Sequence, residues 1–361
     1  MPLRAFINEI ETISIDLDNA RWNELKKLVK SQSSVVRLPC CNQNGYLRTS
    51  SAGLKHFVHS KSQNNCDWKP ESAEHLKSKI EIIEACKESG WNAIPEYSEE
   101  NWRADVLATN GTTRIAFEVQ WSKQTLEETK FRQERYKNSG VRGCWFFKTA
   151  PKEMRDYDEN NLKASKEIPA FKIFKDTNSN IQAHLNHEQL TLNSLVKKLL
   201  NRHLRVCNKT RAKLKQEVEI ILFETSCWKC NEPQHLWTVE RNLTTVCNQK
   251  FHSFHSSWDN EDLDKSPEVY NAVKNYLKSE DGKSLRIGEL KKRNSKMAQT
   301  TYVSHGCYKC DSIFGDFYIM EEKSYAYHNT KNLRFKVELI KTDLFYNKAH
   351  WCFSESNEFC E

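Results

Sequence analysis

Glycine is scarce, at 10 residues in a chain of 361, and no segment repeats or settles into low complexity, so fibrous and repeat architectures are excluded. No apolar run approaches the roughly 18 to 20 residues of a membrane span. The opening stretch MPLRAFINEI also lacks the basic-then-apolar layout of a secretory leader. These absences give the expectation of a soluble, cytoplasmic protein with no membrane partner. Hydrophobic residues at 38% and aromatics at 11% exclude wholesale disorder. What the chain has in quantity is cysteine, 13 residues, with 12 histidines. In a reducing compartment disulfides explain so many cysteines poorly, and an odd count would leave one unpaired, so metal ligation is the leading explanation.

The length fits two or three domains. Net charge is a mild +7, so its distribution matters more than its size. Lys197, Lys198, Arg202, Arg205, Lys209, Arg211, Lys213 and Lys215 follow one another with no acidic residue between them. Such a run attracts phosphates and favours a nucleic-acid partner; a solvated helix face is the plainer alternative. Residues 1–66 read as a small module of short strands and one helix, with Trp22, Leu25 and Leu28 on one helical face. Residues 67–205 read as helix, strands and helix. Residues 206–361 hold both Cys-x-x-Cys pairs, and their charged middle, about 256–300, reads as helical insertion or loop.

The central part carries the chemistry. After Pro70, the spacing of Ala73, Leu76, Ile80 and Ile83 predicts a helix, with Glu71, His75 and Lys79 on an adjacent stripe and Glu74 beside them. Trp102–Thr109 and Thr113–Trp121 then read as strands around Asn110-Gly111, a hairpin signal. With Asn110 and Gly111 as the loop, Asp105 pairs with Ala116 and Arg103 with Glu118, so Asp105, Glu118 and Gln120 share one face. Two carboxylates there are within reach of one hard divalent cation, as phosphodiester hydrolysis requires. A solvated face with an Arg103–Glu118 salt bridge is the alternative. A helix beginning near Leu126 and the apolar strand VRGCWFF complete the order helix, hairpin, helix, strand, which is the core of the PD-(D/E)XK nuclease architecture.

The stretches ESAEHLKSK, WRADVLAT, IAFEVQWSKQTLEET and RYKNSGVRGCWFF resemble the competence protein CoiA-like family, and LPCC, GYLRTS and HFVH resemble the zinc-binding-like module that precedes its nuclease domain. The resemblance runs from about Arg37 to Phe147. It implies an α/β, restriction-endonuclease-like (PD-(D/E)XK) core acting on DNA, with Asp105 and Glu118 as carboxylates for Mg²⁺ or Mn²⁺ and Glu74 completing or orienting the site; Glu71 is the alternative to Glu74. Gln120 stands where the superfamily usually has lysine, and a neutral amide can orient a water but not offset charge. Lys79 or Lys123 are the residues that could supply that charge. On the following helix, Gln133 and Tyr136 are expected near the phosphate backbone, with core packing as the alternative. Lys197, Lys198, Arg202 and Arg205 would grip the backbone further along.

Cys227-x-x-Cys230 and Cys307-x-x-Cys310 together make a Cys₄ zinc site, the strongest metal signal in the chain. At the N-terminus Cys41, His56, His59 and Cys66 form a second candidate set, with Cys40 as the alternative to Cys41 because neighbouring cysteines seldom both reach one ion. Cys247 with His252 and His255 resembles a site only superficially. Zinc would supply folding free energy that such small modules lack. Cys86 and Cys144 read as core residues, and Cys207, Cys247, Cys352 and Cys360 carry no assignment. The expectation is therefore a Mg²⁺- or Mn²⁺-dependent deoxyribonuclease with flanking zinc modules, working in DNA uptake, recombination or defence, alone or with other DNA-processing proteins. A non-catalytic DNA-binding protein that keeps the nuclease fold is the alternative.

Overall fold

A computed structural model describes residues 2–60, 66, 71–156, 160–186, 188–211, 215–240, 242–244, 246–247, 250–252, 267–315, 317–319, 321–322, 325, 332–340, 345–346, 349–355 and 359–360. The chain divides into two units, Met1–Asn208 with Lys348–Phe359, and Lys209–Asn347 with Cys360–Glu361.

In the first unit, strands β1 (Arg4–Ile7), β2 (Ile10–Ile13), β3 (Val36–Leu38), β4 (Gln43–Thr49) and β5 (Lys55–His59) pair antiparallel in the order β2-β1-β3-β4-β5. Helix α1 (Asn19–Lys30) starts where the Asp18 carboxylate accepts the Arg21 N–H, and lays Trp22 and Leu25 on Leu38, Leu47 and Phe57, with Leu28 at the edge of that core. The expected single face of that helix is what packs.

The second sheet of this unit has seven strands in the order β12-β11-β10-β9-β8-β7-β6: β6 (Asn92–Glu99), β7 (Trp102–Asn110), β8 (Thr113–Gln120), β9 (Arg142–Phe147), β10 (Ala170–Lys175), β11 (Ile181–Leu185) and β12 (Glu188–Thr191). β8, β9 and β10 run parallel and the outer pairs antiparallel. Helix α3 (Leu126–Asn138), opened by a Thr125–Glu128 capping box, makes the crossover from β8 to β9. Helices α2 (Ala73–Glu88) and α4 (Leu192–Leu200) cover one face with Leu76, Ile83, Leu195 and Val196 against Val106, Phe117, Ile173 and Ile181. The other face packs Leu107, Ala116, Trp145 and Phe147 with Tyr136 of α3, Met154 and Leu162. Both faces are therefore buried, and the solvated polar face considered from the sequence does not exist. Cys86 and Cys144 are core residues as read.

The hairpin register differs from the sequence reading. Asn110 pairs with Thr113 and Val106 with Phe117, so the loop is Gly111-Thr112, with the positive φ of 56° at Gly111. Glycine in the first loop position suits a type II′ turn. The shift of two residues moves Asp105 away from Ala116, and the expected shared face is also lost: Ala104 packs on the α3 side and Val106 on the α2 side, so β7 changes face around Asp105, which meets α2, while Glu118 meets α3. Beyond β13 (Leu204–Cys207), the strand His350–Phe353 returns to pair with it, and Trp351 packs on Phe171. The sequence division had grouped residues 348–359 with the C-terminal part.

In the second unit β14 (Thr210–Arg211) precedes the long β15 (Lys215–Ser226), which lies between β16 (Pro233–Glu240) and a later strand. β17 (Asn242–Thr244) pairs with β18 (Lys250–His252). The stretch read as helical insertion or loop holds more than that: α5 (Pro267–Tyr276) sets Val269 and Val273 against Ile220, Leu222 and Trp237, and the charged β19 (Lys291–Ser295) is an edge strand of a sheet with β20 (Thr300–Gly306) and β21 (Ile313–Phe314). Two valines four residues apart suffice for a helical face, and charge is tolerated on an edge. Residues 253–266, with His255, lie outside the described residues. β22 (Leu333–Ile340) completes the three-stranded sheet, and β23 (Phe345–Tyr346) pairs with β14. Among the described residues no helix is long and apolar enough to cross a membrane.

Candidate catalytic and metal centres

The ladders around Asp105 part on both sides. Pairing of β7 with β8 runs to Val106–Phe117 and stops. Pairing with β6 passes from Pro95–Val106 to Tyr97–Ala104 and skips Glu96–Asp105. In the gap the Asp105 carboxylate accepts the Val119 N–H at 2.9 Å, taking a main-chain acceptor's place. Helix α2 lies over this point, and its cap residue Ser72 accepts the His75 N–H, which fixes where the first turn aims. His75 Nε2 then faces Asp105 Oδ2 at 3.2 Å, with Glu71 beside them. One ligand atom from each of Glu71, His75 and Asp105 lies within 4.8 Å of the others.

The electrostatics of this trio favour a cation. His75 Nε2 is buried and lacks the alignment of a hydrogen bond, so a lone pair facing a carboxylate needs a proton or a metal ion between them. Burial works against charge on both partners. Even so, the Asp105–His75 attraction holds the Asp105 carboxyl far below its ordinary range and raises the His75 imidazole above 6.5. Burial likewise opposes charge on Glu71, and Lys79 outweighs it to lower that carboxyl. Two carboxylates and an imidazole can together hold a divalent cation.

Glu118, expected as the second metal carboxylate, is fully buried and engaged elsewhere: Oε2 meets Arg132 at 2.5 Å, and Oε1 meets the Tyr136 hydroxyl. Burial pushes its carboxyl up to about 7, against the pull of Arg132. The Tyr136 hydroxyl is also 2.7 Å from the Arg103 carbonyl, and one proton cannot serve both acceptors. A protonated Glu118 resolves this by donating to Tyr136 while Tyr136 donates to Arg103. Arg132, not Arg103, is the salt-bridge partner of Glu118. Its position in α3 was visible, but its role had no sequence signal.

Other expectations are redistributed. Glu74 points away and pairs with Lys175 at 2.8 Å, so the open choice falls to Glu71, which sits with His75 and Lys79 on the stripe seen in the sequence. Lys79 has no exposed surface and cannot grip DNA; it bridges Glu71 at 2.7 Å and Glu96 at 2.6 Å. Glu96, which no motif marks, is the residue that sequence reasoning missed. Gln133 spends both ends of its amide on structure, donating to the Glu167 carbonyl and accepting from Trp145, and Tyr136 is buried. Gln120 is half-buried at the end of β8, and Lys123 is exposed after it. In the basic run Lys197 pairs with Glu88, Lys198 lies 3.5 Å from the Phe353 ring centroid and Arg205 stacks on Phe359, while Arg202 is exposed. Lys213 lies outside the described residues.

Residues 71–222 match the family described as competence protein CoiA, nuclease-like domain. This segment belongs to the CoiA nuclease-like family. It takes in the trio, Glu118 and Gln120, and leaves outside it the N-terminal stretch that also carried the resemblance. No curated protein matches the chain.

Beyond the trio of the CoiA-like domain, two cysteine clusters that each lie within one unit, among the described residues, can hold a metal such as zinc. In the second unit Cys227, Cys230, Cys307 and Cys310 converge, with Sγ–Sγ separations of 3.6 Å (Cys227–Cys310) and 3.7 Å (Cys230–Cys307). A zinc tetrahedron with ~2.3 Å bonds has edges of about 3.8 Å. The two knuckles are built alike. In each, the first cysteine's N–H donates to a carbonyl five residues on (Glu232, Ser312), its carbonyl accepts the N–H four residues on, and that fourth residue is left-handed (Asn231 at 56°, Asp311 at 57°). At the N-terminus the converging set is Cys40, Cys41, His59 and Cys66, with Cys40 Sγ 3.2 Å from His59 Nε2. His56 is not part of it: three residues from His59 on a strand, it is buried on the opposite face, and its Nδ1 lies 3.0 Å from the Leu54 carbonyl oxygen. Both neighbouring cysteines reach the cluster, contrary to expectation. Cys247 and Cys360 Sγ atoms are 3.7 Å apart in the second unit; Cys207 and Cys352 are buried in the first.

Proposed function

We propose that this protein is a divalent-cation-dependent DNA nuclease with a PD-(D/E)XK core and two structural zinc sites. The observation that carries the reading is the convergence of Glu71, His75 and Asp105 at the parted ladder, within a segment that matches a nuclease-like family. The order α2, hairpin, α3, β9, with Glu118-Val119-Gln120 on β8, supports the architecture. Glu71, His75 and Asp105 would hold Mg²⁺ or Mn²⁺, which when bound polarises a phosphate and makes a bound water more acidic. The Gln120 amide orients the attacking water. Arg132, whose side chain is 32% exposed, presents positive charge beside Glu118, and Lys123 and Arg202 are exposed cations that would meet the backbone. Lys79 does not replace the usual motif lysine, since both its partners are carboxylates. Cys227, Cys230, Cys307 and Cys310 would hold one zinc, and Cys40, Cys41, His59 and Cys66 another.

The second reading, a DNA-binding accessory protein without cleavage, is favoured by one feature: Glu118 is already engaged by Arg132 and Tyr136. Incubation with single-stranded, duplex and branched DNA and with RNA, in Mg²⁺, Mn²⁺ or EDTA, separates the two. Cation-dependent cleavage of DNA, lost in Asp105→Ala and His75→Ala, is expected. DNA binding that ignores EDTA, with no cleavage under either metal, gives the accessory role. Cleavage that survives Asp105→Ala removes the site.

A further inference from the structure

A buried lysine beside a cation site poses an electrostatic problem. Lys79 is fully enclosed and holds Glu71, one of the three groups that face the site, at 2.7 Å. If that were its only partner, the ammonium would cancel the Glu71 charge, and Asp105 alone would remain to attract a cation. Glu96 lies on the other side of the ammonium at 2.6 Å, so one lysine is shared by two carboxylates. The seat of Glu96 is costly and specific. Its φ is 46°, a left-handed conformation in a strand, at the point where β6 fails to pair with Asp105. Such a backbone costs about 1 to 3 kcal/mol and persists only where the surroundings over-determine it. Those surroundings come from β1 and the residue before it: the Leu3 and Arg4 N–H groups donate to the Glu96 carboxylate at 3.1 and 3.2 Å, and the Arg4 guanidinium donates to the Glu96 carbonyl at 3.0 Å.

We propose that Glu96 is a positioning residue of the cation site: it neutralises Lys79 so that Glu71 keeps its charge for the metal, from a seat that the N-terminal strand provides. The inference rests on the reading of Glu71, His75 and Asp105 as cation ligands. It gives residues 1–66 a part in the chemistry of the CoiA-like domain beyond their own fold, because the chain outside the matched segment supplies the donors that hold Glu96.

The test is Mn²⁺ affinity of the zinc-loaded full chain, followed by electron paramagnetic resonance, for the parent, Glu96→Gln, Lys79→Met/Glu96→Gln and Asp105→Ala. Glu96→Gln leaves the lysine to cancel Glu71 and should weaken Mn²⁺ binding about tenfold or more. Removing the lysine as well should restore affinity to within about threefold of the parent, a rescue that a merely structural role would not give. Unchanged affinity in Glu96→Gln, or a double variant as weak as Glu96→Gln, overturns the proposal. Should Glu96→Gln not fold, the double variant, with no unpaired buried ammonium, carries the test alone: near-parental affinity supports the proposal and a tenfold loss contradicts it. Asp105→Ala tells the two readings apart, since Mn²⁺ binding that survives it removes the cation site itself.

Discussion

Glu118 shows how burial rewrites a residue that the sequence marks as a ligand. Its carboxyl, ordinarily near 4.5, is pushed up to about 7 by burial. A folded state that binds this proton more tightly than the unfolded chain gains stability at low pH and loses it as pH rises from 4.5 through 7. Glu118→Gln is therefore expected to flatten that decline, which in the parent is on the order of 3 kcal/mol, in urea unfolding followed across the window. Glu81 and Glu84 are also raised above 4.5 by burial, but they titrate in parent and variant alike, so the difference between the two reports Glu118. A decline unchanged in the variant would contradict the buried, proton-holding carboxyl. Sequence reasoning singled out Asp105, Glu118 and the stripe of Glu71, His75 and Lys79, because residue type and spacing carry that much. It could not find Glu96 or the Arg132–Glu118 pair, since both depend on contacts made across the fold.

Among elements, the short strands and knuckles were the most legible. Cys-x-x-Cys geometry is local, so the four-cysteine cluster of the second unit could be read directly. The N-terminal set was half legible. Strand alternation separates His56 from His59, so applying it to KHFVH would have split the pair, while which of the two meets the cysteines is set by the fold. His59→Ala is accordingly expected to lose one zinc equivalent by metal analysis, and His56→Ala to keep it while losing stability through its buried site. Loss of zinc in both, or in neither, would contradict the assigned ligands. In the same way Cys307→Ser should release the zinc of the second unit and leave the N-terminal zinc bound. The hairpin was legible as two strands around a turn, but neither its register nor the separate faces of Asp105 and Glu118 were. Asn110-Gly111 marks a turn, yet which two residues form the loop depends on how β7 and β8 finish against their neighbours.

At the scale of the whole chain, the sequence showed an α/β core between cysteine-bearing regions, and the match over residues 71–222 gives that core its family. The β6 and β10 to β12 strands, the return of His350–Phe353 to β13 and the coverage of the sheet on both faces were not legible, because each is set by long-range pairing. Packing makes one more prediction at this scale. Phe146 is fully buried between Phe117 and Phe171, so Phe146→Ala should cost about 3 to 5 kcal/mol of stability in the first unit without removing zinc. The central claim, that Glu71, His75 and Asp105 hold the divalent cation, is tested most directly by pulsed electron paramagnetic resonance of Mn²⁺ bound to the zinc-loaded chain. The account predicts nitrogen coupling from one imidazole that disappears in His75→Gln. Bound Mn²⁺ with no nitrogen coupling, or coupling that persists in His75→Gln, would contradict it.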